Sequence, residues 1–371
     1  MRNAVYRIAL AVLLLTGLCG CWDQQLLKDE RNVSIGGMDN GPEKTLKTTV
    51  SIRDITVTES GSKDTSETHT VVARSSKHAQ ELLDEQVSGK YSNAKMRVLL
   101  LGEEMVRSRD VMPYLDVYYR DPRSPLNARV AVAQGKAEDV IRLKKTGTKT
   151  IGLQIDDLLR TMEEAALIPK VTIQTLHPLD RGYDFALPFL TIREGVPSVG
   201  GIALFDGVRM RGKLDADRSK VYMLLTDSHK KNMRLTMKTQ GDKRDNGYDY
   251  VTIEVKKARR SLKIAVANDG RIRVNLRLKL RITVIEDPSN HLYKREVMQN
   301  LERTLTNHMN EEAAAVIGKM QRSRHDGLGI ARRLMSFHPA TWKQLDWKEE
   351  YPRIPIESQV TLRIINTGII R

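Results

Sequence analysis

The feature of this 371-residue chain that most constrains its fold is a regular alternation between positions 272 and 284. Apolar residues hold every second position of the stretch, and arginine, lysine, asparagine and threonine hold the positions between them. Successive side chains of a β-strand point to opposite faces, so a period of two residues indicates a strand. The stretch therefore predicts one long strand with a buried apolar face and a strongly basic outer face.

The residues before this strand predict further strands of the same sheet. Residues 250–256 and 262–266 also alternate, and Asn268-Asp269-Gly270 separates them from the long strand. So short a turn joins antiparallel neighbours, because a parallel pair needs a crossover of about a dozen residues or more. The sequence from Tyr248 to Ile285 thus predicts an antiparallel sheet.

A long amphipathic helix is predicted to follow. Asp287-Pro288 has the form of a helix start, with aspartate as N-cap and proline in the first position. From Met298 to Met320, apolar residues fall within an arc of about 120° at 100° per residue. The predicted helix runs from Ser289 to about Arg322 and lies across the sheet, although its apolar stripe also fits a partner-binding helix. A helix at about 329–337 and a last strand at 356–365 complete this half.

The first half of the chain intermixes strands and helices. Glu59 to Thr70 contains no apolar residue and is predicted to be a mobile surface loop and a candidate contact segment. A tract at 188–197 that contains proline and glycine indicates a boundary, and Asp206-Gly207 beyond it predicts a hairpin with a type I′ turn. Sequence patterns predict strands at 33–38, 46–57, 96–102 and 127–133, and helices at 75–87, 111–119, 136–143 and 151–166.

The N-terminus has the pattern of a lipid-attachment signal. Two arginines precede an apolar run at residues 8–15, and Leu18-Cys19-Gly20-Cys21 follows. The run has the length of a signal-peptide core and is shorter than the roughly 20 apolar residues of a spanning helix. The cysteine thiol is needed for the thioether to diacylglycerol, and small neighbours give a peptidase access to the bond before it. We expect Cys19 to leave with the signal and Cys21 to carry the lipid, while an ordinary secretory signal and a core segment are the alternatives.

The elements together predict a multi-domain α+β fold. Its sheets are expected to be mixed or antiparallel with packed helices, and a long helix covers the C-terminal antiparallel sheet. The predicted division is a signal peptide at 1–20, a lipid anchor and tether at 21–32, an N-terminal α+β domain at 33–195 and a C-terminal α+β region at 196–371. The last region divides into a hairpin subdomain at about 196–245 and the sheet with its long helix at about 246–371.

Charge and cysteine usage limit the partners. The net charge is +15, and cleavage after residue 20 removes two arginines and no acid. A basic body tethered beside anionic lipid gains electrostatically, and a solvated basic surface without a particular partner is the other interpretation. The export signal and an aromatic content of 5% argue against nucleic acid, because few stacking platforms are present. Only Cys21 remains after cleavage, so the mature chain has no intramolecular disulfide and no cysteine-based metal site.

The sequence offers no recognisable catalytic, metal or cofactor site. It has no nucleophile–base set and no phosphate-binding loop, and its eight histidines are scattered. The pair His325-Asp326 has no third ligand nearby in sequence, so we expect a surface or helix-capping role for it rather than a metal. Neighbours such as Asp156-Asp157 point about 100° apart on a helix and make poor acid–base pairs. The chain is predicted to be no enzyme and to bind no cofactor other than the diacylglycerol and N-acyl lipid on Cys21.

Short motifs that are spread in order along the whole chain point to a family. They are Gly20-Cys21-Trp22-Asp23, Met96–Gly102, Tyr114-Leu115-Asp116 with Arg120-Asp121, Gln134-Gly135-Lys136-Ala137, Gly201–Phe205 through Gly212-Lys213-Leu214, and a closing set of Asp326, Leu328-Gly329, Pro339, Trp342 and Gly368. In their order and spacing the chain resembles the Ger(x)C family, the lipoprotein C subunits of spore germinant receptors. One departure is Leu328-Gly329-Ile330-Ala331, where that family often has aromatic-Gly-aromatic-Gly.

The resemblance implies a three-subunit nutrient receptor in the spore inner membrane. Two integral membrane subunits, of A and B type and one of them transporter-like, would be the partners, and the C subunit would sit on the outer face, held by acyl chains such as palmitate. It also implies about three small α+β domains and a non-enzymatic role in receptor assembly and the germination response. Whether this chain contacts the nutrient stays open.

Two other function classes compete with this expectation. A solute-binding lipoprotein that captures a nutrient itself would need a cleft with convergent polar groups between two domains, which the boundary at 188–197 permits. An envelope hydrolase is the third class, although no nucleophile–base set supports it.

Overall fold

The computed structural model describes residues 30–58, 61–143, 149–176, 184–228, 233–239, 249–288, 292 and 294–367. Cys21, the predicted lipid attachment site, lies outside them, as do the predicted signal peptide and most of the tether. Within these ranges no helix is both long enough and apolar enough to cross a membrane. The predicted α+β class is confirmed, because helices pack on two separate sheets.

The first sheet has nine strands in the described part of the chain. They are β1 (Glu30–Asn40), β2 (Leu46–Thr58), β3 (Gly61–Ala73), β4 (Lys90–Ser92), β5 (Val98–Gly102), β6 (Arg129–Ala133), β7 (Ala186–Arg193), β8 (Val196–Asp206) and β9 (Arg209–Asp215). The order is β3-β2-β1-β5-β6-β7-β8-β9, and β4 pairs with β1 beside this path. The strands β1, β5, β6 and β7 are parallel neighbours, and antiparallel strands extend the sheet on both sides.

Helices cover both faces of this sheet. They are α1 (Ser76–Asp84), α2 (Glu103–Ser108), α3 (Met112–Arg120), α4 (Ala137–Ile141) and α5 (Ile151–Glu164). The central strand β5 is buried at all of its five positions, as expected for a parallel strand covered on both faces. Val98 and Leu100 belong to the apolar cluster that contains α4 and α5, whereas Leu99 and Leu101 belong to the cluster that contains α1 and α3.

A buried carboxylate on β1 fixes the start of α4. The two side-chain oxygens of Asp39 accept hydrogen bonds from the backbone N–H groups of Ala137, at 2.8 Å, and Glu138, at 3.0 Å. Burial raises the pKa of Asp39, and the two N–H donors lower it. The bonds satisfy two of the N–H groups that a helix start leaves free, so α4 is tied to the middle of the first sheet.

The prediction of a mobile loop at residues 59–70 is wrong for the described part of that stretch. Gly61–Ala73 forms β3, which pairs with β2 in an unbroken antiparallel register from Leu46↔Ala73 to Thr58↔Gly61. This strand lies at the edge of the sheet, where backbone pairing holds it and apolar side chains are not required. Threonine is a good strand former, but a polar edge strand shows no hydrophobic period.

The second sheet comes from the C-terminal half. Its strands are β10 (Met233–Lys238), β11 (Tyr250–Val266), β12 (Ile272–Glu286) and β13 (Ile356–Asn366), in that spatial order. The helices of this half are α6 (Ala216–Leu225), α7 (Arg295–Arg322), α8 (Ile330–Phe337), α9 (Pro339–Lys343) and α10 (Trp347–Glu350). The strands β11 and β12 are antiparallel as predicted, and β10, which the sequence analysis did not predict, pairs antiparallel to β11. The last strand differs, because β13 returns through the α7–α10 crossover and pairs parallel to β12.

The long helix covers the second sheet as predicted, but it begins later. It starts at Arg295 rather than Ser289, with Lys294 as N-cap, so Asp287-Pro288 does not open it. Leu292, ahead of the helix, packs against the apolar core although it is not part of α7. The stripe from Leu305 to Met320 is buried in the core, which rules out the partner-binding interpretation of that stripe.

The predicted boundary between residues 195 and 196 falls in the turn between β7 and β8. These strands pair with each other in the first sheet, where Arg193 lies opposite Val196, and the chain leaves that sheet after Asp215. One apolar cluster continues from α5 through α6 to the second sheet. The division of the chain at residue 195 stays a prediction.

The predicted hairpin at Asp206-Gly207 is present as β8 and β9, with Asp206 opposite Arg209. The prediction of a type I′ turn is wrong, because that turn requires a positive φ at both residues of the loop, here Gly207 and Val208. Gly207 has a φ of 56°, whereas Val208 is not among the residues of positive φ. Valine resists that region because its branched side chain clashes with the backbone.

Candidate functional site

Five polar side chains from separate parts of the chain meet where the two sheets join. We call them the junction network: Asp184, Tyr222, His325, Asp326 and Tyr351. Asp184 precedes β7, Tyr222 lies on α6, and Tyr351 lies in a short 3-10 turn after α10. His325 and Asp326 follow the end of α7. The network therefore connects the first sheet with the segment that crosses over between β12 and β13.

His325 occupies the centre of the junction network and is fully buried. Its Nδ1 lies 2.7 Å from the backbone oxygen of Phe205 on β8, and its Nε2 lies 3.0 Å from the hydroxyl of Tyr222. A carbonyl oxygen only accepts, so Nδ1 carries the proton and Nε2 accepts from Tyr222. Burial lowers the pKa of His325 to about 4, and the imidazole is neutral at neutral pH. Tyr351 completes the contact, because its hydroxyl donates to the backbone oxygen of His325 at 2.7 Å.

The two aspartates close the other side of the junction network. Asp326 accepts hydrogen bonds from the N–H groups of Ile330, at 3.0 Å, and Ala331, at 2.7 Å, and so caps α8. Asp184 accepts from the N–H groups of Gly207, at 2.8 Å, and Asp326, at 2.6 Å. Burial raises the pKa of Asp326 to about 7, against the opposing effect of its N–H donors. Burial also raises the pKa of Asp184.

Gly327 lets the chain pass close to this network. A Cβ on Gly327 would lie 2.5 Å from the Tyr222 hydroxyl and 2.6 Å from Nε2 of His325. A Cβ carbon does not approach a non-bonded oxygen or nitrogen atom that closely, so the position requires a residue without a side chain.

Of the two roles predicted for the pair His325-Asp326, a surface position and helix capping, the structure supports one. A surface position is wrong for both residues, which are at most 1% exposed, but the helix-capping role is confirmed for Asp326. Sequence reasoning missed Asp184, Tyr222 and Tyr351, because each stands alone in its own segment and only the fold brings them together. Among the described residues no cluster of three or more ligating side chains could hold a metal ion.

The hydrogen-bonding groups of the junction network are paired with one another and with the backbone, although Asp184, Tyr222 and Asp326 also line a neighbouring cleft. Each ring nitrogen of His325 has a hydrogen-bond partner, and both oxygens of each aspartate accept from backbone N–H groups. A general base needs reach to a substrate proton, and here the protein's own groups occupy those positions. What the arrangement does is hold the turn after α7 against the ends of β7 and β8.

A cleft of about 850 Å³ opens beside the junction network. Its walls come from both halves of the chain and include Phe185, Thr226, Ser228, Arg260, Leu328, Trp342 and Trp347. Its size lies in the range of small-molecule sites.

Arg260 is the charged group of the cleft with the most unusual surroundings. It lies on the inner face of β11, and its guanidinium donates to the backbone oxygen of Leu328 at 3.4 Å. Its Nε is buried and has no hydrogen-bond partner among the described residues. Burial lowers the pKa of Arg260, and so does the charge of Arg333, whereas Asp227 and Asp326 raise it. Such a cation favours an anionic neighbour.

Comparison with known proteins places this fold in a family. A family model described as "Spore germination protein N-terminal domain" matches residues 23–192, and one described as "Spore germination B3/ GerAC like, C-terminal" matches residues 200–368. The chain is 22% identical to spore germination protein GerQC of Bacillus cereus over 366 residues, which cover 98% of this chain and 99% of that protein. It is also 22% identical to spore germination protein B3 of Bacillus subtilis (strain 168), over 98% of each chain.

A solved structure has the same fold. The crystal structure of the GerBC protein superposes with a TM-score of 0.56 at 18% identity and covers 89% of this chain and 96% of that chain. The matches define a class of two-part α+β spore germination proteins. The chain belongs to the Ger(x)C family, the C subunits of germinant receptors.

The buried, neutral state of His325 predicts an unusual titration. The side chain should stay neutral until the pH falls to about 4, while a solvated histidine titrates near 6.5. Its contribution to the free energy of unfolding is therefore present above pH 6.5 and is lost as the pH falls toward 4. NMR titration of histidine ring nitrogens, with His325 assigned by a His325→Gln variant, measures this pKa. A midpoint near 6.5 with an intact fold contradicts the buried network.

The close approach at Gly327 predicts that Gly327→Ala destabilises the protein. The added methyl group would displace Tyr222 or His325, and such overpacking costs about 1–3 kcal/mol of unfolding free energy. The matched control is Gly318→Ala inside α7, where the methyl group would meet only the flexible end of Arg322 at 3.2 Å. Alanine favours a helix more than glycine does, so the free energy of unfolding of the control should be unchanged or higher by up to about 1 kcal/mol. Urea unfolding compares the two variants, and equal midpoints would count against the junction geometry.

Proposed function

We propose that this chain is the lipid-anchored, non-enzymatic C subunit of a spore nutrient germinant receptor. Diacylglycerol and an N-acyl chain such as palmitate on Cys21 hold it to the outer face of the spore inner membrane. Two integral membrane subunits, of A and B type and one of them transporter-like, are its partners. Its role is in receptor assembly and in the germination response to nutrients.

The observation that supports this proposal most is the length of the family match. The two family models cover both halves of the chain, and the named relatives align over nearly all of it. Because the alignment covers the full length, it favours the interpretation that this chain and its relatives occupy the same position in a receptor complex. Reuse of a single domain would give a match over only part of the chain. The lipobox at Leu18-Cys19-Gly20-Cys21 supports the anchor.

The spacing between the proposed anchor and the body supports a position close to the membrane. The first strand begins at Glu30, nine residues after Cys21. Nine residues span at most about 30 Å when fully extended. The start of the folded body therefore stays within about 30 Å of the lipid surface.

The proposal treats the chain as non-enzymatic because its most buried titratable groups are already occupied. The junction network uses His325 and both aspartates for internal hydrogen bonds. A structural role for these groups explains their burial and their partners without a substrate.

A pull-down from detergent-solubilised spore membranes tests the receptor role. The tagged full-length chain should recover two multi-span proteins, one of them transporter-like. Cys21→Ala should reduce the recovery, because it removes the thiol that carries the lipid. The matched control is Cys19→Ala, which keeps Cys21 and alters only a residue that leaves with the signal. Recovery of the wild-type chain without multi-span partners would contradict the proposal.

A solute-binding lipoprotein remains the second candidate function, and the cleft with Arg260 favours it. Its ligand would be a small nutrient with a carboxylate, which would supply a hydrogen-bond acceptor for the buried Nε of Arg260.

Titration calorimetry tests this second function with free amino acids and, as uncharged probes, neutral sugars. If the cleft binds carboxylates, amino acids bind and Arg260→Met abolishes the signal. Arg259→Met is the matched control, because the neighbouring side chain is exposed on the opposite face of β11. The absence of heat with every amino acid would contradict this function and leave the receptor proposal standing.

A further inference from the structure

The outer face of the second sheet gathers positive charge to an unusual degree. We call it the basic face, and its cations are Lys257, Arg259 and Lys263 on β11, Arg273, Arg277, Lys279 and Arg281 on β12, and Arg363 on β13. All eight are exposed, and they alternate with the buried residues that pack toward α7. The strand register places Glu357 on the same face, opposite Asn275, and Glu254 at its end, opposite Thr283, where Glu254 forms an ion pair with Lys256.

The strand register places like charges directly opposite one another. Lys257 pairs with Arg281, and Arg281 pairs in turn with Arg363, so one row across three strands is entirely basic. Arg259 pairs with Lys279 in the row beside it. Like charges at opposed positions of a sheet destabilise the pairing, and an anionic surface outside the sheet would relieve the repulsion.

The protein itself supplies no such counter-charge in the part of the chain that the structure describes. None of the eight side chains of the basic face lies within 4.0 Å of a carboxylate there. Other basic residues do find partners, as Arg129 does with Asp156 and Glu163. The buried side of the sheet is covered by α7, whereas the eight side chains of the basic face are exposed.

The side chains of the basic face argue against a protein as the occupant. Protein interfaces depend on aromatic and other large anchors near their centre and are poor in lysine. Between its cations the basic face holds Ser261, Ala265, Asn275, Glu357, Gln359 and Thr361. The exposed large apolar side chains of these strands, Ile285 and Ile365, lie beyond its last cations, near the ends of β12 and β13. The centre of the face is thus regular and strongly charged without a large apolar anchor, which suits many weak contacts with a plane of phosphates.

We propose that the basic face lies against the phosphate headgroups of anionic lipid and orients the body on the membrane. The inference rests on the membrane location given under the proposed function. From Arg273 to Arg281 the face extends about 27 Å along β12, and its rows are about 4.8 Å apart across the strands. Such a surface contacts several headgroups at once, and each added basic residue strengthens the attraction.

A fluorescent probe on the basic face tests the contact directly. Thr361 is exposed on β13 beside Lys279, and Thr361→Cys accepts a dye whose emission reports the headgroup environment. The full mature chain without this substitution, treated with the same dye, controls for labelling at Cys21. The probe chain is added to vesicles that contain phosphatidylglycerol and to vesicles of phosphatidylcholine alone.

The expected result is a blue-shifted emission with phosphatidylglycerol only, which added salt reduces. The double substitution Arg277→Glu and Lys279→Glu should weaken the response about tenfold or more. Lys77→Glu with Lys95→Glu makes the same change in net charge at exposed positions elsewhere and should have a much smaller effect. Circular dichroism confirms that each variant is folded.

Three results would overturn the inference: an equal response to phosphatidylcholine, an equal loss in both double variants, or a response to soluble polyglutamate but not to vesicles. The last result would assign the face to an acidic protein surface. The pull-down is independent of this readout. If the pull-down recovers the partners but the dye emission does not change with vesicles, only the lipid contact is rejected. If the emission shifts but no multi-span partner is recovered, only the receptor role is rejected.

Discussion

The arrangement of the two sheets depends on a buried neutral imidazole. His325 lies between a backbone oxygen of β8 and the hydroxyl of Tyr222 on α6, and Tyr351 binds its backbone oxygen. A charged ring in this position would lose its hydration, whereas a neutral ring with both nitrogens paired fits an apolar core. The turn after α7 is thereby fixed to the first sheet, and this turn also begins the crossover that brings β13 to β12.

The chain uses buried aspartates twice in the same way. Asp39 in the first half and Asp326 in the second each accept two N–H groups at the start of a short helix. The Asp39 carboxylate lies 98 residues from the N–H of Ala137 that it accepts, and the backbone N–H of Asp326 donates to Asp184, 142 residues away. Loss of either aspartate would therefore affect packing as well as a helix end. This use of ionisable groups is structural, and it agrees with a subunit whose function lies in contacts with other molecules.

Periodicity in the sequence was sufficient to predict the long elements. The alternation at 272–284 predicted β12 and its basic outer face, and the stripe from Met298 to Met320 predicted α7. The polar strand β3 and the parallel pairing of β13 were missed, because backbone pairing at an edge and a distant crossover leave no local pattern. The junction network was missed for the same reason, since the ring nitrogens of His325 find their partners in residues more than a hundred positions away.

The central claim is that this member of the Ger(x)C family acts in the germination response to nutrients. The most direct measurement is the germination of spores that lack the gene, in a background without paralogues, on a panel of single nutrients. The account predicts that the response to at least one nutrient is lost and that the wild-type gene restores it. Unchanged germination on every nutrient would contradict the account.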